Sequence, residues 1–204
     1  MGKIKSRQEY KFLVSKKEQI DFEVFSKNSL KELFPEREIL SLYMDTNNFE
    51  LYKQSTLNDV EKFKVRYRTY PNTDLNIYEE IKLNSKLGKE KLVNKTEFND
   101  FESIAPNYKK GYFLFPTLFV QYKRKYFELE NSVRITIDSN ISYSLPKYRS
   151  LDKSKITTSH IVLEMKNLNN IAIDLSKYFF SNPVAFSKYN SGIEKMFPNL
   201  RKSF

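Results

Sequence analysis

The sequence predicts an α+β fold, a sheet of two-faced strands with a few helices packed outside it. Three observations lead there. Several segments alternate polar and apolar residues at period two, and two others carry helical signals. A chain of 204 residues with 40% hydrophobic and 15% aromatic content can bury one sizeable core, so 1–204 reads as a single domain.

The elements follow in order. Arg7 to Val14 is a strand, with Arg7, Glu9 and Lys11 on one face and Tyr10, Phe12 and Val14 mostly on the other. A helix opens at Ser15, where Glu18 three residues on gives a capping-box spacing, and runs towards Phe34. Glu38 to Asp45 reads as a more apolar strand. In Glu61 to Tyr70 the split is sharp, with Lys62, Lys64, Arg66 and Arg68 opposite Phe63, Val65 and Tyr67. Ile77 to Asn84 sets Tyr78, Glu80 and Lys82 against Ile77, Ile81 and Leu83, and Lys91 to Phe98 is a weaker strand aligning Lys91 and Lys95. Asn99 to Ala105 reads as a short helix. Leu118 to Phe127, Ser132 to Asp138 and Ile161 to Asn167 are strands carrying Arg124, Arg134 with Asp138, and Glu164 with Lys166 on their polar faces. Phe186, Tyr189, Ile193 and Met196 recur at helical spacing, closing the chain with a helix on the sheet.

Composition excludes much chemistry. There is no Cys and one His, which removes disulfides, iron–sulfur clusters, thiol nucleophiles and nearly every zinc site, so any metal must sit on oxygens. Four scattered glycines cannot form a phosphate-cradling loop or a nucleophile elbow, and a bound phosphate must be held by side chains. The N-terminus lacks an apolar core, and Tyr112 to Val120 is short and broken by Pro116, so neither a signal peptide nor a membrane span is expected. Absent cysteine agrees with a cytoplasmic location.

The net charge of +10 points to anionic partners. An ordinary half-buried sheet also exposes mixed charge to water, so one such strand carries little weight. Repetition carries more: about six strands place long cations on the polar face beside only Glu9, Glu80, Asp138 and Glu164. If the strands close into a barrel with these faces inward, the lumen repels itself when empty and suits a flexible polyanion better than a stiff duplex. Nucleic acid is not expected, because the cations alternate with apolar residues inside strands instead of gathering on one outer face.

Ordered motifs along the chain resemble the vacuolar transporter chaperone (VTC) domain. They are Arg7-Gln8-Glu9-Tyr10-Lys11, Ser41-Leu42-Tyr43-Met44-Asp45-Thr46, Lys64-Val65-Arg66-Tyr67-Arg68 and Tyr78-Glu79-Glu80-Ile81-Lys82, followed by Tyr122-Lys123-Arg124, Val133-Arg134-Ile135-Thr136-Ile137-Asp138, Leu163-Glu164-Met165-Lys166 and Phe186-Ser187-Lys188-Tyr189. The resemblance implies the triphosphate tunnel metalloenzyme (CYTH-like) fold, an antiparallel eight-stranded β-barrel with helices outside. It implies a polyphosphate polymerase that moves the ATP γ-phosphate onto a growing chain and releases ADP, with Mn²⁺ or Mg²⁺.

By motif, the resemblance assigns Lys11, Arg66, Arg68, Lys82, Arg124, Arg134 and Lys188 to nucleotide and chain phosphates, with Arg66, Arg68, Lys82 and Glu164 at the reacting centre. Glu164 would bind the metal, Glu9 is suspected as a second ligand or a water-activating base, Lys91 or Lys95 adds a basic contact, and Ser187 adds a hydroxyl. Two departures stand out: Arg7 replaces the first glutamate of the superfamily's ExExK opening, and Ala185 stands where eukaryotic members carry a further basic residue. The partners implied are ATP and inorganic polyphosphate or pyrophosphate. Eukaryotic members carry membrane helices that 204 residues leave no room for, so a stand-alone bacterial-type form, with a separate membrane protein as partner at the inner membrane face, is the expectation. A tripolyphosphate or nucleoside triphosphate hydrolase and a non-catalytic polyphosphate-binding module remain the alternatives.

Overall fold

The computed structural model describes residues 8–25, 27, 30–57, 61–85, 88–129, 133–147, 154–167 and 182–200. Ten strands and three helices follow one another as β1 (Gln8–Val14), α1 (Lys16–Phe25), β2 (Leu30–Asp45), α2 (Glu50–Thr56), β3 (Lys62–Tyr70), β4 (Asp74–Ser85) and β5 (Gly88–Lys95). Then come β6 (Asn107–Lys109), β7 (Tyr112–Leu129), β8 (Val133–Ser144), β9 (Lys155–Thr157), β10 (Ile161–Asn167) and α3 (Lys188–Met196). The ladders run in the order β1-β10-β8-β7-β2-β3-β4-β5, with β6 on β7 and β9 on β8. The α+β class and the eight strands of the main path match the expectation. Barrel closure does not appear: β1 and β5 end the path and share no ladder among the described residues. The charged, exposed run Lys89-Glu90-Lys91 on β5 is the kind of edge that resists further pairing.

The chain divides into two compact units. The first comprises Met1–Arg37, Tyr122–Ile141 and Thr158–Phe186. In it β1, β10 and β8 pair antiparallel and bury Phe12, Val14, Ile135, Ile137, Ile161, Leu163 and Met165 with Phe22 of α1. The period-two pattern puts every second residue on this core and leaves Glu9, Lys11, Glu164, Lys166, Arg134, Thr136 and Asp138 on the opposite face.

The second unit comprises Glu38–Gln121, Ser142–Thr157 and Ser187–Phe204. Its core gathers Leu42, Met44, Leu51, Phe63, Val65, Tyr67, Ile77, Ile104 and Leu114. Helix α3 approaches its neighbours closely at Gly192, where a Cβ would meet Leu118 Cδ2 at 2.5 Å and Tyr143 Cδ1 at 2.6 Å.

Two sequence expectations need correction. The capping box at Ser15 forms, with the Glu18 amide donating to Ser15 Oγ at 3.2 Å and the Ser15 amide donating to Glu18 Oε2 at 2.7 Å, but α1 stops at Phe25. Leu30–Asp45 is a strand, and the polar run Ser26-Lys27-Asn28-Ser29 in the sequence interrupts the helical apolar period before it. Asn99 to Ala105 is not helical; the Asp100 carboxylate accepts from the Ser103 amide at 2.8 Å and holds a local turn instead. Helix α2 lacks a sequence signal of comparable strength. Its amides at Leu51 and Tyr52 donate to the buried Asp45 carboxylate, both at 2.9 Å. Among the described residues no helix is long and apolar enough to cross a membrane.

Candidate functional site

In the second unit, register assembles a cationic face. Across β3 and β4, Lys64 faces Lys82, Arg66 faces Glu80 and Arg68 faces Tyr78. Across β4 and β5, Lys82 faces Lys91 and Tyr78 faces Lys95. Lys64, Lys82 and Lys91 therefore stand in one row over three strands. Lys64 donates to Ser187 and Asn190 and Lys91 pairs with Glu80, and the three ammonium groups concentrate positive charge on this face.

Beside the row, Glu80 is the counter-charge. Its carboxylate accepts from Arg66 Nε at 2.7 Å, contacts Arg66 at 2.5 Å and Lys91 Nζ at 3.0 Å, and lies 3.9 Å from Arg68. Burial would push this carboxyl up, but Arg66, Arg68 and Lys91 outweigh it and hold it at about 2. Arg66 is further fixed by donating to Tyr43 Oη at 2.8 Å, and Arg68 by donating to Ser41 Oγ at 3.1 Å. Burial of Tyr43 is likewise overcome by Arg66, Arg68 and Lys64, which lower its hydroxyl to about 8.

Ser187 caps α3, accepting from the Asn190 amide at 3.3 Å and from Lys64 Nζ at 3.0 Å. Lys188 is the first helical residue. Tyr189 stacks on Tyr43 with ring centroids 5.0 Å apart and donates to Asp45. The motif around Ser187 is thus tied to β2 and β3 within this unit.

The first unit gathers the other residues. Lys11 lies opposite Glu164 and Glu9 opposite Lys166, while Glu164 faces Thr136 and Lys166 faces Arg134 on the third strand. Lys11 Nζ is 3.3 Å from Glu9 and donates to the Phe186 carbonyl at 3.2 Å, and Lys166 Nζ is 2.8 Å from Glu164. Burial works against the Glu164 charge, but Lys166, Arg124 and Lys11 hold its carboxyl at about 2. Arg124 forks onto Asp138, Nε to Oδ1 at 2.5 Å and NH2 to Oδ2 at 2.7 Å.

This unit offers a metal only oxygen donors. Glu9 and Glu164 are diagonal neighbours on adjacent strands, and the buried Thr136 hydroxyl facing Glu164 has no hydrogen-bond partner among the described residues. No group of three or more acids or histidines that could hold an ion appears among those residues. Two carboxylates and an orphaned hydroxyl fit an Mg²⁺- or Mn²⁺-type ion that keeps waters and takes the rest of its shell from phosphate.

The structure thus brings Arg66, Arg68, Lys82, Lys91, Ser187 and Lys188 into one unit and Glu9, Lys11, Arg124, Arg134 and Glu164 into the other. Of the two lysines, Lys91 reaches Glu80 at 3.0 Å and Lys95 stands opposite Tyr78. Ala185 is exposed, and Arg7 lies outside the described residues. Ser41 and Tyr43, which carry no role in the sequence pattern, enter this face only through Arg68 and Arg66 on the neighbouring strand.

No curated protein matches the chain. Among solved structures, a Vibrio parahaemolyticus protein proposed as an adenylate cyclase is similar at 11% identity and TM-score 0.48, over 96% of this chain and 88% of that one. The PH1819 protein of Pyrococcus horikoshii OT3 is similar at 13% identity and TM-score 0.46, over 96% and 89%. HpAC1 of Hippeastrum, described with a dominant triphosphatase activity, is similar at 12% identity and TM-score 0.45, over 80% of each chain. The sequence model of the VTC domain matches residues 6–104 and 94–197, nearly the whole length. The chain belongs to the VTC domain family.

Proposed function

We propose that this protein transfers the γ-phosphoryl group of ATP to a growing inorganic polyphosphate chain and releases ADP, with one divalent ion, Mn²⁺ or Mg²⁺. The observation that supports this most is the in-register row Lys64, Lys82 and Lys91 beside Arg66 and Arg68. Family membership supports it as well. The reading takes 1–204 as one functional domain and ATP, polyphosphate and pyrophosphate as its ligands.

The chemistry needs little beyond what these side chains offer. An oxygen of the terminal chain phosphate forms the new bond to the γ-phosphorus, the bond from that phosphorus to the β–γ bridging oxygen breaks, and the electron pair leaves on ADP. The attacking phosphate is already ionised at neutral pH, so no base has to remove a proton. Arg66 and Arg68 offer forked donors to equatorial oxygens, and both are pre-aimed by Glu80, Tyr43 and Ser41. Lys82, Lys91, Lys11, Arg134, Lys188 and Ser187 would hold the remaining phosphates, and Arg124 would act from its fork on Asp138. Glu164, Glu9 and Thr136 would hold the ion, whose charge neutralises phosphate oxygens when bound.

Hydrolysis of tripolyphosphate or a nucleoside triphosphate is the second reading. Glu9 favours it: its side chain is 21% exposed, so water can reach a carboxylate beside the proposed ion. The test is extension of a labelled short polyphosphate by ATP and Mn²⁺, with Arg66→Ala and Glu164→Ala alongside. Longer chains that fail to form in both variants support the polymerase. Phosphate release without extension supports the hydrolase, and tight binding without turnover supports a binding module.

A further inference from the structure

Beyond the phosphate-binding residues, the first unit carries a surface of aromatic rings and guanidinium groups. Arg37 Cζ lies 4.9 Å from the Phe34 ring centroid and 5.7 Å from that of Tyr126. The two rings meet edge to face at 5.7 Å. Arg124 Cζ lies 6.0 Å from the Tyr126 ring centroid and 5.3 Å from that of Tyr122. Phe34 is 47% exposed although Lys31, Glu32 and Glu36 around it are polar.

An exposed cation over an aromatic ring is only weakly attracted, a small return for leaving a phenyl group in water. Arg37 has no carboxylate at ion-pairing distance among the described residues, so its planar face is committed to the rings. Ring and guanidinium together present flat, stackable surface next to a cation assigned to phosphate. Tyr126 follows Arg124 by two residues on β7, about 7 Å along the strand, and shares its face.

We propose that Phe34, Arg37 and Tyr126 form a stacking platform for the base of a nucleotide whose phosphates reach Arg124. This deepens the reading above and rests on it, since it supplies what a bare phosphate grip lacks, a means to prefer a nucleoside triphosphate over tripolyphosphate. Stacking on a phenyl ring and a guanidinium is tolerant of base identity, because every base has a π face. ATP and GTP should therefore bind alike.

The test compares dissociation constants of ATP and tripolyphosphate for the wild-type chain and Phe34→Leu, a substitution at a half-exposed site. Loss of the platform should weaken ATP by about tenfold, the scale of one base–aromatic stack, and leave tripolyphosphate unchanged. The chain contains no Trp, so Phe34→Trp installs a single indole whose fluorescence should be quenched by ATP and not by tripolyphosphate. Equal effects on both ligands, or quenching by neither, overturn the platform while leaving phosphate binding standing. Failure of the wild-type chain to bind tripolyphosphate at all overturns the phosphate reading and the platform together.

Discussion

Arg66 and Glu80 face each other across β3 and β4, and the guanidinium holds the carboxylate through Nε at 2.7 Å and NH2 at 2.5 Å. Glu80 is buried and also answers Arg68 and Lys91, so its loss removes the counter-charge shared by three cations. Glu80→Gln should lower stability at pH 7 by about 3 to 5 kcal/mol, the usual cost of breaking a buried pair. The Glu80 carboxyl is depressed from 4.5 to about 2, so its contribution is present above 4.5 and is lost as pH falls towards 2. Urea titrations should show the wild-type chain losing stability across that window and the variant losing less. Saturating tripolyphosphate should restore part of the variant's loss, because the anion takes the carboxylate's place.

Tyr43 supplies a basic limb. Its hydroxyl, lowered to about 8, accepts from Arg66 NH1 at 2.8 Å. Ionisation puts a negative charge beside the cations that bind phosphate, so affinity for tripolyphosphate should fall as pH rises through about 8. Tyr43→Phe should remove that limb while retaining binding at pH 7. A titration curve identical in the two proteins would contradict this.

Lys82 is the middle residue of the lysine row. It faces Lys64 on one side and Lys91 on the other. Lys82→Met should weaken tripolyphosphate binding at least severalfold in a calorimetric titration, because it removes the middle charge of the row. A variant that binds as well as wild type would remove Lys82 from the site.

At Gly192 the contact is one of packing. A methyl group there would lie 2.5 Å from Leu118 and 2.6 Å from Tyr143, both fully buried. The gain in helix propensity from Ala is smaller than the strain, so Gly192→Ala should cost about 1–3 kcal/mol in a thermal melt.

Much of this arrangement was legible in the sequence because strand periodicity is short and local. Alternation in Lys62 to Tyr70 fixes which face Arg66 and Arg68 share, and the capping box at Ser15 forms as its spacing requires. Pairing partners were not legible. That Lys91 and not Lys95 reaches Glu80 follows from a register set by the hairpin between β4 and β5. Helix α1 was read too long because apolar residues resume at Leu30, Leu33 and Phe34 after the polar run Ser26-Lys27-Asn28-Ser29, which ends the helical period. The role of Tyr43 depends on Arg66 one strand away and Tyr189 far along the chain.

On the proposed reading, these cationic strand faces bind a phosphate chain. Calorimetric titration with tripolyphosphate across a salt series tests it most directly, using the wild-type chain, Arg66→Ala and Arg124→Ala, with circular dichroism confirming that each is folded. Saturable binding that weakens steeply as salt rises and falls at least tenfold in each folded variant is the predicted result. Wild-type binding that is absent, insensitive to salt, or unchanged in both variants would contradict the account.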